Sequence, residues 1–317
     1  MALTPTANLI ADAAARRTGI GAFNVIHLET AEALVAAAER SGLGVILQIS
    51  ENCVSYHGGL EPIAVASLAL ARDSAVPVAV HLDHAEDEQL ARRAIDLGFG
   101  SVMFDASRRD YTQNVDATAR IVAYAHDNGV MVEAELGEVG GKDGAHAPGV
   151  RTDPDEARSF VAETGVDALA VAVGSSHAMT AREASLDLDL IARLHAALDV
   201  PLVLHGSSGV PDPVIVAAIR AGMTKINVST HLNGFFTRAV RDYLEENPSV
   251  VDSRKYVSAG RAALSTEAER MLRLFASAGT ASESAASSKE SVASSEESAE
   301  SSEEPAASAD AAEGAAS

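Results

Sequence analysis

The sequence predicts a (β/α)8 barrel, on three observations. Eight short apolar, β-branched runs alternate with amphipathic stretches of helical period. The runs are hydrophobic throughout instead of alternating with polar residues, as parallel strands covered on both faces require. Every run also delivers a polar or ionisable residue at or near its end, and barrels of this class build their sites at the C-terminal ends of the strands. Eight βα units in a row favour a closed barrel over an open doubly wound sheet.

The elements follow in order. A helix is expected over residues 6–17, ahead of the barrel. The strand-like runs are GAFNVI (21–26), GVILQIS (44–50), VPVAVHLD (76–83) and SVMFDAS (101–107), then VMVEAELG (130–137), ALAVAVGS (168–175), VPLVLHG (200–206) and TKINVST (224–230). Helix candidates between them include ETAEALVAAAERSG, AEDEQLARRAIDLG and DPDEARSFVAETG, and several end in Gly, the usual C-terminal stop. Asp153-Pro154 and Asp212-Pro213 suit an N-cap followed by the first helical position. A closing helix is expected from about Ser253 to Phe275. From Ala276 to Ser317 the chain is Ser, Ala and Glu with almost no large apolar residue, so it is expected to be a disordered, solubilising acidic tail. Residues 1–275 are thus read as the barrel domain and 276–317 as the tail.

Composition narrows the function. The formal net charge is −21, which argues against nucleic acid and anionic membrane surfaces as partners. One cysteine, Cys53, permits no internal disulfide and no Cys-based zinc knuckle. No secretory leader and no run of about eighteen apolar residues is read, so a soluble, cytoplasmic protein is expected.

The polar residues at the expected rim are Asn24 on the first strand and Ser50 with Glu51 after the second. Asp83-His84 end the third, Asp105 and Ser107 the fourth, and Glu135 lies on the fifth. Ser176-His177 follow the sixth, His205-Gly206-Ser207-Ser208-Gly209 the seventh, and Asn227-Val228-Ser229-Thr230 the eighth. Three imidazoles on three strand ends, His84, His177 and His205, can hold one divalent metal and leave a position open for substrate. That points to metal-assisted carbonyl chemistry. His27, His57, His126, His146, His195 and His231 fall in loops or on helices and read as surface or satisfied residues; His231, directly after the eighth strand, is nearest to the rim.

In order, HLDH (81–84), EAELGEVGG (133–141), AVGSSH (172–177), VLHGSSGVP (203–211) and KINVST (225–230) resemble the motifs of the class II fructose-bisphosphate and tagatose-bisphosphate aldolases. The likeness covers roughly residues 5–275. It implies a catalytic Zn2+ on His84, His177 and His205, with an outer metal position at Asp105 and Glu135; the sequence leaves open whether a monovalent cation is an additional cofactor. It implies that Asp83 is the acid/base residue acting on the aldehyde oxygen. It assigns the dihydroxyacetone phosphate end of a sugar bisphosphate to Gly206, Ser207, Ser208, Asn227, Ser229 and Thr230, with Asn24, Ser50 and Gly174 also on the substrate side. Arg254 in DSRKY matches an arginine that reaches the second phosphate, often from a neighbouring subunit, and a homodimer or homotetramer is implied. Two segments depart from the family. The loop GGKDGAHAPGVRTDP (140–154) is short and carries lysine where an acid is often found, leaving Asp143 as the nearest substitute for the loop acid and Glu138 as a weaker one. ISENCVSYHGG (49–59) also differs, and both bear on sugar specificity.

The chemistry is consistent with that resemblance. Zinc polarises a ketone and its neighbouring hydroxyl, stabilising the charge left when the carbon–carbon bond breaks. A carboxylate beside a metal ligand can take the proton of the C4 hydroxyl. Asp83 could instead orient a metal-bound histidine. The expected activity is reversible cleavage of fructose 1,6-bisphosphate to dihydroxyacetone phosphate and glyceraldehyde 3-phosphate, with tagatose 1,6-bisphosphate or another ketose phosphate as alternatives. A Schiff-base mechanism on Lys225 or Lys142, and a sugar-phosphate binder without turnover, are the readings of different class.

Overall fold

The computed structural model describes residues 3–136, 151–176 and 179–297, with side chains as far as 279. The eight strands are β1 (Ile20–Asn24), β2 (Val45–Ser50), β3 (Val78–Ala85), β4 (Ser101–Phe104), β5 (Met131–Glu135), β6 (Ala168–Ala170), β7 (Leu202–Leu204) and β8 (Met223–Val228). They pair in parallel, each with its neighbour in sequence, and β1 closes on β8. The predicted (β/α)8 barrel is therefore the fold.

Helix α1 (Thr6–Ala15) precedes the barrel. Outside it lie α2 (Leu28–Ser41), α3 (Glu51–His57), α4 (Glu61–Asp73), α5 (Glu88–Leu97), α6 (Tyr111–Asp127), α7 (Pro154–Thr164), α8 (Leu188–Ala197), α9 (Asp212–Ala221) and α10 (Thr230–Glu246). Helix α11 runs from Ser253 to Glu297. Asp153 caps α7 as its motif predicts, accepting from the backbone N–H groups of Asp155 and Glu156, with Pro154 at the first turn. Asp212-Pro213 behaves differently: Asp212 is already inside α9, and its carboxylate is taken by Arg182 and Arg270, both at 2.6 Å.

Strand alternation sorts the core into two parts. Outward residues such as Leu47, Val80, Leu82, Val102, Phe104, Val132 and Ile226 pack with the inner faces of the helices. Inward residues Ile20, Ala22, Ile46, Ala79, Met103, Met131, Ala168, Ala170 and Val203 form a second cluster with Leu9, Ile10 and Ala13 of α1. That helix stoppers the N-terminal end of the barrel, and Thr4 N donates to Val78 O at 2.9 Å just ahead of it. A one-residue slip of any strand would exchange the two sets.

The chain divides into two compact units, Met1–Gly279 and Thr280–Ser317. In the first, packing extends beyond residue 275: Ala278 is buried, and Arg220 Nε donates to its carbonyl at 3.2 Å. In the second, residues 280–297 are helical where the sequence predicts disorder, consistent with the helix propensity of Ala and Glu. The rest of the acidic tail lies outside the described residues.

Candidate active site

Following the inward face of each strand toward its C-terminal end, the side chains change from apolar to polar. On β2 the sequence is Ile46, Gln48, Ser50; on β3 Ala79, His81, Asp83; on β5 Met131, Glu133, Glu135; on β8 Lys225, then Asn227. Gln48, His81, Glu133 and Lys225 form a buried polar layer above the apolar one. Ser50, Asp83, Glu135 and Asn227 make the rim.

Asp83 and His84 are consecutive, so a regular strand would send them to opposite faces. Two features bring both to the rim. The β3–β4 register shifts between Leu82 and Ala85. His84 also takes φ 50°, a left-handed conformation rare for a residue with a side chain. Residue 84 is therefore inside β3 at a bulge, and not at the strand-to-loop junction that the sequence predicts; pairing resumes at Ala85 with Phe104. Such strain concentrates at functional sites.

The bulge carries His84 to His205. Nε2 of His84 lies 2.9 Å from Nδ1 of His205, with the rings edge to face at 87°. Behind His84, Nδ1 is 2.8 Å from Asp105 Oδ2. Behind His205, Nε2 is 2.9 Å from Glu133 Oε1. A carboxylate only accepts, so each ring carries a proton on the nitrogen facing its carboxylate. The other two nitrogens, His84 Nε2 and His205 Nδ1, then point at each other, and a positive charge between them, proton or metal, joins the rings. Burial, the largest influence on His84, disfavours its charge; nonetheless Asp83, the hydrogen bond to Asp105 and Glu135 push its pKa up to about 9. The pocket is built for positive charge. Ligand atoms of Asp83, His84 and His205 lie within 4.8 Å of one another, and so do those of His84, Asp105 and Glu135. Two imidazoles flanked by carboxylates fit a divalent transition metal, with room for a second position toward Asp105 and Glu135.

Asp83 is held on both oxygens. Asn24 Nδ2 donates to Oδ2 at 3.2 Å and Asn227 Nδ2 to Oδ1 at 3.4 Å. Gln48 Nε2 in turn fixes Asn24 through Oδ1 at 2.8 Å. Asn227 Nδ2 is also 3.1 Å from His205 Nε2, but both are donors here, so this is a contact and not a hydrogen bond. Asn227 Oδ1 is buried with no hydrogen-bond partner among the described residues, an acceptor left for a bound group.

A cavity of about 180 Å3 opens over these groups, lined by Asn24, Ser50, Asp83, His84 and Asn227 on one side. Gly206, Ser208, Ser229 and Thr230 line the other. Gly206 turns the chain at φ 65° into the single 3-10 turn Ser207–Gly209. The Ser207 hydroxyl donates to the Asn227 carbonyl, and Ser208 Oγ accepts from the backbone N–H groups of Ser229 at 3.4 Å and His231 at 3.2 Å. The two glycine- and serine-bearing segments are thereby tied together at the N-terminus of the seventeen-residue α10, where oriented N–H groups favour an anion.

Other sequence-predicted residues stand apart. His177 and Asp143, with Glu138 and Lys142, lie outside the described residues. Ser50 accepts from Cys53 N at 3.2 Å and so caps α3 as well as lining the cavity. Gly174, at φ 121°, packs against the chain, where an added Cβ would sit 2.4 Å from Ser185 O. Arg254 is exposed at the start of α11, paired with Asp252 at 2.9 Å, and does not line the cavity. His231 is tied to Glu267 at 2.7 Å. Lys225 is fully buried, with Nζ 2.8 Å from Glu133 Oε2. Gln48, His81 and Glu133 carry no motif of their own, but each lies two residues before a rim residue, Ser50, Asp83 and Glu135, so strand periodicity is the sequence signal that points to them.

The profile of the family described as fructose-bisphosphate aldolase class-II matches residues 4–280. The chain is 40% identical over 287 residues to a fructose-bisphosphate aldolase of Geobacillus stearothermophilus, covering 89% of this chain and 100% of that protein. It is 38% identical over 288 residues to a 6-phospho-5-dehydro-2-deoxy-D-gluconate aldolase of Shouchella clausii, covering 90% and 98%. Among solved structures, the crystal structure of the YdjI aldolase from Escherichia coli K12 matches with a TM-score of 0.74 and 32% identity, over 88% of this chain and 99% of that one. With the barrel, the rim and the histidine–carboxylate cluster in place, the chain belongs to the class II fructose-bisphosphate aldolase family of metal-dependent carbon–carbon lyases.

Proposed function

We propose that the protein catalyses the zinc-dependent, reversible cleavage of fructose 1,6-bisphosphate to dihydroxyacetone phosphate and glyceraldehyde 3-phosphate. The observation that carries this is the 2.9 Å approach of His84 Nε2 to His205 Nδ1, each ring backed by a carboxylate. His84, His205 and, through its place in AVGSSH, His177 would hold the zinc, with Asp105 and Glu135 as an outer position. Bound there, zinc supplies a Lewis acid that stabilises negative charge as the carbon–carbon bond breaks.

Asp83 takes the C4 hydroxyl proton during cleavage and returns it during synthesis. Its two amide donors, Asn24 and Asn227, hold the carboxylate toward the cavity. Gly206, Ser207, Ser208, Ser229 and Thr230, at the N-terminus of α10, receive a phosphate. Asp143 serves the substrate C–H proton, and Arg254 reaches the second phosphate across the interface of a homodimer or homotetramer. The protein acts in the cytoplasm, and residues 276–317 form a solubilising tail. Lys225 speaks against the Schiff-base route: it is paired with Glu133 and lies one layer below the cavity.

A second substrate has specific support, because the 38% identical relative named above is a 6-phospho-5-dehydro-2-deoxy-D-gluconate aldolase. Steady-state turnover of that compound, fructose 1,6-bisphosphate and tagatose 1,6-bisphosphate, with and without chelator, tests the reading. The expected result is the highest kcat/KM on fructose 1,6-bisphosphate, abolished by EDTA and restored by zinc. Chelator-resistant turnover that borohydride traps on a lysine would replace it with the Schiff-base mechanism.

A further inference from the structure

We infer that Glu133, fixed by Lys225, is a positioning residue for His205: it keeps the ring with Nε2 protonated and turns Nδ1 to the metal. The inference rests on the zinc site proposed above and concerns a carboxylate that never touches the ion or the cavity.

A buried chain of polar groups runs up the barrel axis, and one proton arrangement satisfies each of its contacts. Ser101 Oγ donates to Thr6 Oγ1 of α1 at 2.7 Å, so it accepts from His81 Nδ1, also at 2.7 Å. That leaves His81 Nε2 as the acceptor facing Lys225 Nζ at 3.4 Å. Burial first and then Lys225 hold the pKa of His81 well below the usual histidine range, consistent with a neutral ring. Lys225 Nζ therefore has a neutral acceptor on one side and Glu133 Oε2 at 2.8 Å on the other. The second oxygen of Glu133 reaches His205 Nε2 at 2.9 Å. His81, Glu133, His205 and Lys225 are each no more than 1% exposed. Glu133 is sealed from bulk solvent, and Lys225 takes one of its oxygens while the other faces His205.

A bare buried ion pair is weak evidence for stability, because the desolvation cost rivals the attraction. Holding a histidine in one tautomer and orientation is a specific use for it, and a carboxylate hydrogen-bonded to the far nitrogen also makes the ring a better ligand. The Lys225–Glu133 pair anchors that carboxylate from the opposite wall, β8 against β5.

The test compares the full-length protein with Glu133→Gln and with the double variant Glu133→Gln/Lys225→Met, which removes both charges and leaves neither unpaired. Zinc affinity of the metal-free proteins is measured by chelator competition, the visible spectrum is recorded with cobalt in place of zinc, and folding is followed by circular dichroism. Both variants are expected to bind zinc about 10- to 100-fold more weakly, with a shifted cobalt spectrum and an unchanged metal-free fold. In a His205→Ala background the effect of Glu133→Gln on zinc affinity should vanish. If the single variant fails to fold, the double variant decides. A folded double variant with unaltered zinc affinity and cobalt spectrum overturns this inference alone, as does an undiminished effect in the His205→Ala background. A parent protein that takes up no zinc overturns the zinc site and this inference together.

Discussion

Nδ1 of His205 and Nε2 of His84 approach to 2.9 Å while the other nitrogen of each ring faces its own carboxylate, Glu133 and Asp105. The two rings come from segments far apart in sequence, and the bulge at His84 lets β3 bring both Asp83 and His84 to the rim. A cation bound between the rings, as proposed, would offset the backbone strain at φ 50°.

Removing that cation should cost stability as well as activity. At a zinc concentration a hundred times its Kd, binding adds about 2.7 kcal/mol to the folded state. A chelator should therefore lower the Tm by several degrees, and zinc should restore both the Tm and turnover. Scanning calorimetry with and without EDTA measures this; an unchanged Tm with unchanged activity would argue that no metal resides there.

Asp83→Asn keeps the side-chain volume and the contact with Asn24 but removes the base. If Asp83 moves the hydroxyl proton, kcat should fall about 10^2- to 10^4-fold while zinc content stays at the parental level. If Asp83 only orients His84, the pattern reverses, with zinc lost and kcat recovered by excess metal. Metal analysis alongside kinetics separates the two.

The barrel was legible because its strands are apolar on both faces, so runs such as VPVAVHLD stand out against the amphipathic helices. Strand lengths were less legible: β6 and β7 are three residues each, because the apolar runs continue into loops that pack on the core without pairing. The bulge at His84 left no mark in the sequence, since two adjacent polar residues after a strand read equally well as its end. The pairing inside the layer below the rim was not legible for a different reason. Glu133 in EAE and Lys225 in KIN are charged residues in runs read as buried, and their partners lie 72 and 92 residues away along the chain, Glu133 to His205 and Glu133 to Lys225. Pairing over that distance is set by barrel closure and not by any local pattern.

Gly206→Ala tests the loop proposed to receive phosphate. The glycine takes φ 65°, and a Cβ there would lie 2.6 Å from the backbone C and O of Ser176, which cannot yield as a flexible side chain could. The substitution should cost about 1–3 kcal/mol from the backbone conformation alone. It should also raise KM more than it lowers kcat. Urea unfolding and substrate titration check both; a parental KM in a destabilised variant would remove the loop from substrate binding.

Glu267 should make the fold sensitive to acid. It lies 2.7 Å from His231 Nε2 and 2.6 Å from Arg270 Nη2, and is nearly buried. Burial, the largest influence, raises its pKa, but the hydrogen bonds from His231 and Arg270 outweigh it and bring the pKa down to about 2 from 4.5. A depressed carboxylate pKa means the contribution is complete above the unfolded-state value and is lost as pH falls through the folded one. The window is therefore roughly pH 4.5 to 2, with at most about 3 kcal/mol at stake. Glu267→Gln should be less stable than the parent at pH 6, and the gap should close as pH falls toward 2. Urea titrations at pH 6, 4 and 3 follow it. Because His231 N also donates to Ser208 Oγ, the variant should loosen the start of α10 and weaken phosphate binding at neutral pH. A stability gap that stays constant across the three pH values would mean that the carboxylate's charge contributes nothing and only its shape matters.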